Sequence, residues 1–337
     1  MKKEETPKQR QQALILFSGG LDSLLVAKIM KSLGFKITAL IFQSCFFNPK
    51  IALNMASKYN FKTITKNISK EQLKIVKCPR FGYGKNINPC LDCRLLMLKI
   101  AKNIAKKNKF SMLVTGEVLG QRPMSQNRKA FALIEKESKL ENKILRPLSG
   151  KLLPKTIYEK NGLIDRHKLY AISGKSRQEQ FRLLKKYQIT EYPTPSGGCL
   201  LTDPEFSHRL KIMLQKNPNC KINDIKLLKQ GRLFWNKKNL IVIGRDEEDN
   251  KQLEKTYKKT TDILMELVEY PGPLMLIRNF GDRKLVNNEL KEIGKMLIRY
   301  CSKTKGASNL KVRVRRPTKE YIISIVFANP PYLPAGR

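Results

Sequence analysis

The stretch that decides the fold is A-L-I-L-F-S-G-G-L-D-S, Ala13 to Ser23. Ala13 to Phe17 is an unbroken apolar run, the pattern of a short strand buried on both faces. Ser18-Gly19-Gly20 then strips away side chains where the strand ends. Leu21, Leu24, Leu25, Ile29 and Leu33 follow at helical spacing, so a helix is expected over Leu21 to Leu33. Strand, glycine turn and helix start together aim backbone N–H groups and the positive end of a helix dipole at one point, which suits an anion. Two glycines let a phosphate come close to the main chain. The turn has neither the length and Lys of G-x-x-x-x-G-K-[ST] nor the spacing of G-x-G-x-x-G.

Working outward, Lys36 to Phe42 and Ser111 to Thr115 read as further buried strands, Lys62 to Ile64 as a short one, and Asn48 to Tyr59 as a helix between them. This alternation predicts an α/β fold with a doubly wound, Rossmann-like parallel sheet and ligands at the carboxyl ends of the strands. Phe81 to Cys93 is a Gly-, Asn- and Pro-rich loop ending in C-x-x-C, and a basic helix is expected over Leu91 to Lys107. Its position in the first turn predicts a lowered pKa for Cys93. Thr115-Gly116, at the end of a core strand, suits nucleotide contact. Ile144 to Lys155 reads as a Pro-bearing basic loop, Ser176 to Tyr187 as a basic helix, and Tyr192 to Asp203 as a loop presenting Cys199 after two glycines. The texture changes near Asn223. Strands at Gly231–Trp235, Asn239–Gly244, Leu274–Ile277, Leu310–Val314 and Tyr321–Val326, with helices at Asp246–Lys258 and Asn287–Tyr300, describe a small α+β module. The expected organisation is a loose segment 1–12, a nucleotide-binding domain 13–222 and the α+β domain 223–330.

Among 337 residues, Lys plus Arg number 67 against 28 Asp plus Glu, a formal net charge of +39. That excess exceeds what solubility asks and points to a polyanionic partner, with nucleic acid the default. No apolar run is long enough to span a membrane, and the N-terminus lacks an apolar leader, so no membrane association is expected. Seven cysteines, odd in number and unevenly spread, fit a reducing cytoplasm better than a disulfide framework.

Cys90, Cys93 and Cys199 each lie in a Gly- or Pro-marked loop, whereas Cys45, Cys78, Cys220 and Cys301 lack that setting. His167 and His208 lie in polar, basic surroundings and read as surface or structural residues. Structural zinc would want a fourth ligand, and no second C-x-x-C is present. Three thiolates can hold three irons of a [4Fe–4S] cluster and leave the fourth iron open to an outside ligand. A persulfide on one Cys resolved by another answers the same pattern, and incidental thiols are the third reading.

S-G-G-L-D-S (Ser18 to Ser23) resembles the PP-loop of the ATP pyrophosphatases, which split ATP between the α- and β-phosphates. With N-P-C-L-D-C (Asn88 to Cys93), T-G-E (Thr115 to Glu117) and S-G-G-C (Ser196 to Cys199), the chain from Ala13 to about Leu210 is similar to the PP-loop tRNA-uridine thiolases, both the 4-thiouridine synthetases and the 2-thiouridylases. The resemblance implies ATP contacts at Phe17, Ser18, Gly19, Gly20, Leu21, Asp22, Ser23, Phe42, Thr115 and Gly116, with Asp22 near the phosphates and linked to Mg²⁺. In the 2-thiouridylases an N-P-D-x-x-C stretch carries an Asp and a catalytic Cys; here Cys93 matches that Cys and Cys90 stands in place of the Asp. The second catalytic Cys is matched by Cys199. The Asp-to-Cys departure makes the set similar to cluster-dependent thiolases. The tail from Gly231 resembles the NFACT-R RNA-binding domain, most clearly in V-I-G-R-D-E-E-D-N around Gly244 and Arg245. Only about a dozen residues precede the loop, so this chain departs from the synthetases that carry a THUMP domain there.

The resulting expectation is ATP-dependent tRNA thiolation. A uridine carbonyl oxygen is adenylylated, pyrophosphate leaves, and sulfur from the site of Cys90, Cys93 and Cys199 replaces AMP. ATP, Mg²⁺ and a [4Fe–4S] cluster are the expected cofactors, and tRNA with a sulfur donor (sulfide or a cysteine desulfurase) the expected partners. The alternatives are a PP-loop ligase or amidotransferase acting on a small molecule, and a non-catalytic RNA-binding protein.

Overall fold

A computed structural model of the chain describes residues 11–193, 198–304 and 307–326. They fall into two compact units, residues 1–207 and 208–337. The division lies 15 positions before the change of texture read near residue 222 (222 against 207), and each unit is described by itself.

The first unit is built on five parallel strands, β1 (Gln12–Leu16), β2 (Lys36–Gln43), β3 (Lys62–Asn67), β4 (Met112–Thr115) and β5 (Ile144–Leu145), in the order β3-β2-β1-β4-β5. Helices α1 (Leu21–Ser32), α2 (Lys50–Lys58), α3 (Ser69–Lys77), α4 (Cys90–Lys107), α5 (Arg128–Ser138), α6 (Ile157–Lys160) and α7 (Gln178–Lys186) cover it. Side chains of successive residues on a strand point to opposite faces, and the central strand uses both. Ala13, Ile15 and Phe17 pack into one layer with Leu24, Leu25 and Ile29 of α1 and Leu183 and Leu184 of α7. Leu14 and Leu16 pack into the other with Leu98 and Ala101 of α4 and Ile134 of α5. Leu24 is fully buried, and its truncation to Ala would cost about 2–5 kcal/mol through lost burial and the cavity left behind. The expected doubly wound sheet is therefore the observed one.

Besides the single turn α6, three elements of this unit escaped the sequence. Helix α3 is one. Helix α5 is another; it starts where the Asn127 side chain accepts a hydrogen bond from the Ala130 backbone at 2.8 Å, and it buries only Ala130, Phe131, Ile134 and Ser138 of its eleven residues. Its charged outer face hides that narrow stripe. The third, β5, corrects the loop expected over Ile144 to Lys155: two residues pair with Leu113 and Val114 of β4, too few to show any period.

In the second unit, α8 (Pro204–Lys216), within which the division falls, and α9 (Ile222–Leu227) precede a six-stranded antiparallel sheet. Its elements are β6 (Arg232–Asn236), β7 (Asn239–Ile243), α10 (Glu247–Thr256), β8 (Asp262–Leu267), β9 (Met275–Asn279), α11 (Asn287–Arg299), β10 (Asn309–Arg315) and β11 (Glu320–Val326), with strand order β11-β10-β8-β9-β7-β6. Leu290, Ile293 and Leu297 of α11 pack on Met265, Met275 and Val312. Strand β8 was not expected; it opens on Asp262, whose buried carboxylate takes two hydrogen bonds from the fully buried Arg278, which also reaches Asp224. This α+β module agrees with the sequence.

Candidate active site

The turn after β1 is held open by its glycines. Gly19 has φ +76°, and a Cβ there would lie 2.6 Å from Cα of Ala52, so no side chain fits. Gly20 is the N-cap of α1, and no side chain caps that helix. Its dipole end is thus left to the turn and whatever binds there. Ser23 Oγ donates to the Gly20 carbonyl at 2.9 Å and lies 3.3 Å from Ser18 Oγ. Across from it, a Cβ on Gly116 would stand 2.8 Å from the Ser23 nitrogen, so the turn after β4 presses on the first turn of α1. β1 and β4 flank the point where the strand order reverses, the place where ligands bind in open α/β sheets.

Asp22 faces this crevice. Burial pushes its carboxyl above the ordinary range, while donors from Gln121 (3.1 Å) and Gln180 (3.4 Å) and the charges of Arg177 and Arg122 pull it back only in part. An under-compensated carboxylate of this kind fits a cation, so Asp22 would hold Mg²⁺ there. Leu21 is buried in the core as the first residue of α1. Phe17 and Phe42 bury their side chains in opposite hydrophobic layers, so only their main chains can face a nucleotide. Thr115 is buried too, its hydroxyl donating to Glu117 Oε2 at 3.0 Å.

Cys90 and Cys93 lie in the first turn of α4. The Cys199 segment is pinned by Leu200 N donating to Phe46 O (3.1 Å) and by Asn86 Nδ2, from the loop before α4, donating to Thr202 O (2.8 Å). The three thiols are near enough to raise one another's pKa: Cys93 feels Cys199 and Cys90, and Cys199 feels Cys90. The tertiary fold thus gathers the three cysteines picked from sequence.

Their protonation differs from the expectation. Burial pushes Cys93 up to about 12, against a weaker opposing hydrogen bond from Gln72 Nε2 at 3.3 Å. Burial also raises Cys90 and Cys199; Arg122 pulls back on both, and Arg94 on Cys90. The helix start does not lower Cys93 because desolvation outweighs it. The expected [4Fe–4S] cluster does not find its ligand geometry either. Three sulfurs of suitable chemistry are close, yet among the described residues no group of three or more His, Cys, Asp or Glu is arranged to hold a metal, so no step is routed through a cluster.

The sequence reading passed over the residues that connect these parts. The charge of Arg122, an exposed side chain, opposes the burial effect at Asp22, Cys90 and Cys199. Glu117 is paired with Arg94, one residue past Cys93 (3.1 Å), and with the buried Arg146 (2.9 Å). Burial would raise Glu117, but both guanidiniums and the hydrogen bonds from Arg146 and Thr115 hold its carboxyl below the ordinary range. Arg146 also lies 4.0 Å over the Phe131 ring. The signal for Arg122 lay inside G-Q-R, Gly120 to Arg122; nothing local marks Arg94 or Arg146.

Fold and crevice describe a parallel α/β domain with a glycine turn at its switch point, and a separate α+β module after it. Residues 9–157 match the family model ThiI, described as thiamine biosynthesis protein, and residues 231–330 match the NFACT protein RNA binding domain. The first match contains Ser18 to Ser23, Cys90, Cys93 and Glu117 and ends before Cys199. A probable tRNA sulfurtransferase of Finegoldia magna is 30% identical over 157 residues, 41% of this chain and 35% of that protein. One from a Thermoanaerobacter species is 31% identical over 150 residues, 41% and 37% of the two chains. The chain therefore spans little more than a third of the length of these curated relatives. Among solved structures, one titled a predicted subunit of tRNA methyltransferase from Methanocaldococcus jannaschii is 18% identical, covering 62% of this chain and 90% of that one, with a TM-score of 0.35, and no argument is drawn from it. Both resemblances read from the sequence are thus met, each over its own part of the chain.

In the second unit, the stretch V-I-G-R-D-E-E-D-N serves the fold. Asp246 caps α10 by accepting from Asp249 N (2.8 Å), and Asn250 Oδ1 accepts from Leu274 N (2.9 Å). A Cβ on Gly244 would meet Asn250 Oδ1 at 2.0 Å. No helix among the described residues is long and apolar enough to cross a membrane.

Proposed function

We propose that the first unit is an ATP-dependent tRNA thiolase and the second its RNA grip. The observation that carries this reading is the glycine-opened turn and uncapped start of α1, carrying Asp22 at the point where the strand order reverses. Such a turn fits phosphates, and Cys90, Cys93 and Cys199 lie in the same unit.

ATP binds with its phosphates at the uncapped start of α1, where backbone dipoles and the Ser18 and Ser23 hydroxyls meet them. Asp22 would hold Mg²⁺, which would supply positive charge to offset that of the phosphates. A uridine carbonyl oxygen of tRNA attacks the α-phosphorus, and the bond to pyrophosphate breaks. The carbonyl carbon, poorly electrophilic before, now carries AMP as leaving group. A persulfide on Cys199 attacks that carbon with its terminal sulfur and expels AMP. The Cys90 thiolate, the one with two arginines in reach, then attacks the Cys199 Sγ. The S–S bond to the transferred sulfur breaks, the thiocarbonyl is released, and a Cys90–Cys199 disulfide remains. A dithiol reductant restores the two thiols, and a persulfide-level donor such as a cysteine desulfurase passes the next sulfane sulfur to Cys199. Cys93, buried and protonated, stays in reserve.

The test measures pyrophosphate release and thionucleosides together, on purified protein with ATP, tRNA and a sulfane donor. Pyrophosphate release that requires tRNA, with 4-thiouridine or 2-thiouridine appearing by mass spectrometry, is the expected result. Pyrophosphate released equally without tRNA points to the small-molecule ligase reading, and ADP as product refutes the turn's assignment. About four irons per anaerobically prepared chain, lost with activity in any one Cys→Ser variant, would replace the persulfide carrier by a cluster.

A further inference from the structure

The second unit carries two basic faces that differ in what their cations do. On β10, Lys311 pairs with Glu269, and Arg313 and Arg315 pair with Glu266 and Glu320. Much of the positive charge on this strand is therefore neutralised within the sheet. At the other edge, β6 and β7 turn through Lys237 and Lys238, with Lys237 at φ +54°. Here Lys216 Nζ donates to the Lys237 carbonyl (3.2 Å) and Lys238 Nζ to the Lys216 carbonyl (2.9 Å). Lys216 and Lys238 thus touch carbonyls, and among the described residues no carboxylate pairs with Lys216, Lys237 or Lys238.

The same corner holds aromatic surface. Trp235, half-buried on the edge strand β6, lies 5.9 Å from Phe280, ring centroid to centroid, at 34° between planes. Phe280 is drawn there by its own N–H, which donates to the Lys238 carbonyl at 3.0 Å. The Lys216 ammonium hovers 5.5 Å over the Trp235 ring. By strand alternation Trp235 faces away from Phe234, which packs on the core beneath α11. Trp235 and Phe280 are thus a tilted aromatic pair with free cations around it, the combination that binds unpaired nucleotides: bases stack on the rings while phosphates meet the ammonium groups.

We propose that Trp235 and Phe280 form a stacking platform for an unpaired base of RNA, with Lys216, Lys237 and Lys238 on the adjoining phosphates. An exposed cation–π contact is weaker than base stacking on the same ring, so the base displaces Lys216 from Trp235, and the freed ammonium turns to the phosphate beside it. The inference rests on the reading of this unit as an RNA grip and narrows it to single-stranded segments.

The chain has one tryptophan, so its emission reports on this corner alone. The experiment titrates the full chain with a fluorescein-labelled oligoadenylate of about eight nucleotides, within the ~4–16-nucleotide reach of known single-strand sites, and with an RNA duplex. Anisotropy gives the affinity and tryptophan emission the stacking. Quenching that saturates with the anisotropy is expected. Trp235→Ala and Phe280→Ala should each weaken the single strand roughly tenfold and leave the duplex within about twofold, while Trp235→Phe retains most of the affinity and controls for folding. Full binding without quenching overturns the platform and leaves the RNA reading standing, as does an equal loss on single strand and duplex. A wild-type chain that binds neither tRNA nor oligonucleotide at low salt overturns both.

Discussion

The phosphate-type turn and the cysteine trio, proposed to serve one reaction, are built in opposite ways. The turn is local: Phe17 to Ser23 are contiguous, and strand, glycines and helix start impose its shape. The trio is not: Cys90 and Cys93 come from the start of α4, Cys199 from a segment more than a hundred residues on, tied back by Asn86 and Phe46. The turn keeps its dipole end open, whereas burial raises the pKa of all three thiols, that of Cys93 to about 12. Motif-like sequence therefore reveals where charge will bind, and packing sets how reactive a side chain will be.

The sharpest way to break this contrast is alkylation of the native protein. With Cys93 pushed up to about 12, against an ordinary thiol value near 9, its thiolate fraction at pH 8 is about a thousandfold lower. Mass spectrometry of a time course with iodoacetamide should show exposed Cys78 modified first and Cys93 last. Early labelling of Cys93 would mean that the helix start governs it after all.

Next in size is Asp22→Asn, which should slow tRNA-dependent pyrophosphate release by on the order of 10²–10³-fold with tRNA affinity retained. The stability change runs the other way. The folded pKa of Asp22 is raised, so its ionised form opposes folding once the pH exceeds that value. The Asn variant should melt at the same temperature as wild type or higher at pH 7, and a lower melting temperature would contradict the assigned burial cost.

Glu117→Gln tests the connection between the two halves. Loss of a charge held by Arg94 and Arg146 should cost about 1.5–3 kcal/mol in urea unfolding at neutral pH. Because its folded pKa lies below the ordinary 4.5, the stabilisation is complete above the unfolded pKa and fades as pH falls through the folded one. The gap between variant and wild type should therefore close toward acid; a gap independent of pH would assign the cost to packing. The smallest effect is expected from Arg122→Gln. This cation is exposed, and its removal should lower adenylylation and sulfur transfer by about fivefold each. A loss in only one step would separate sites that the present geometry joins.

Legibility followed the same division. The parallel sheet could be read from Ala13–Phe17 and Lys36–Phe42 because apolar strands buried on both faces show as runs. Helix α5 and strand β5 could not, the first because charged residues mask a narrow stripe, the second because two residues carry no period. The basic run Lys311 to Arg316 was visible, and its neutralisation by Glu266, Glu269 and Glu320 was not, since those carboxylates arrive by strand pairing and by the chain just beyond β8. In the same way Lys237 and Lys238 were marked as basic, while their junction with Trp235 and Phe280 waited on the β7–β9 pairing.

By itself the sequence determined the strand–turn–helix at Ser18 to Ser23, the change of module along the chain, and which three cysteines to watch. These depend on backbone preferences and hydrophobic period, which act over a few residues. Only the tertiary structure decided that the three cysteines come within electrostatic range of one another and that burial pushes Cys93 up to about 12. Desolvation and Coulomb interaction depend on distance through space, and folding brings together residues that chain order keeps far apart.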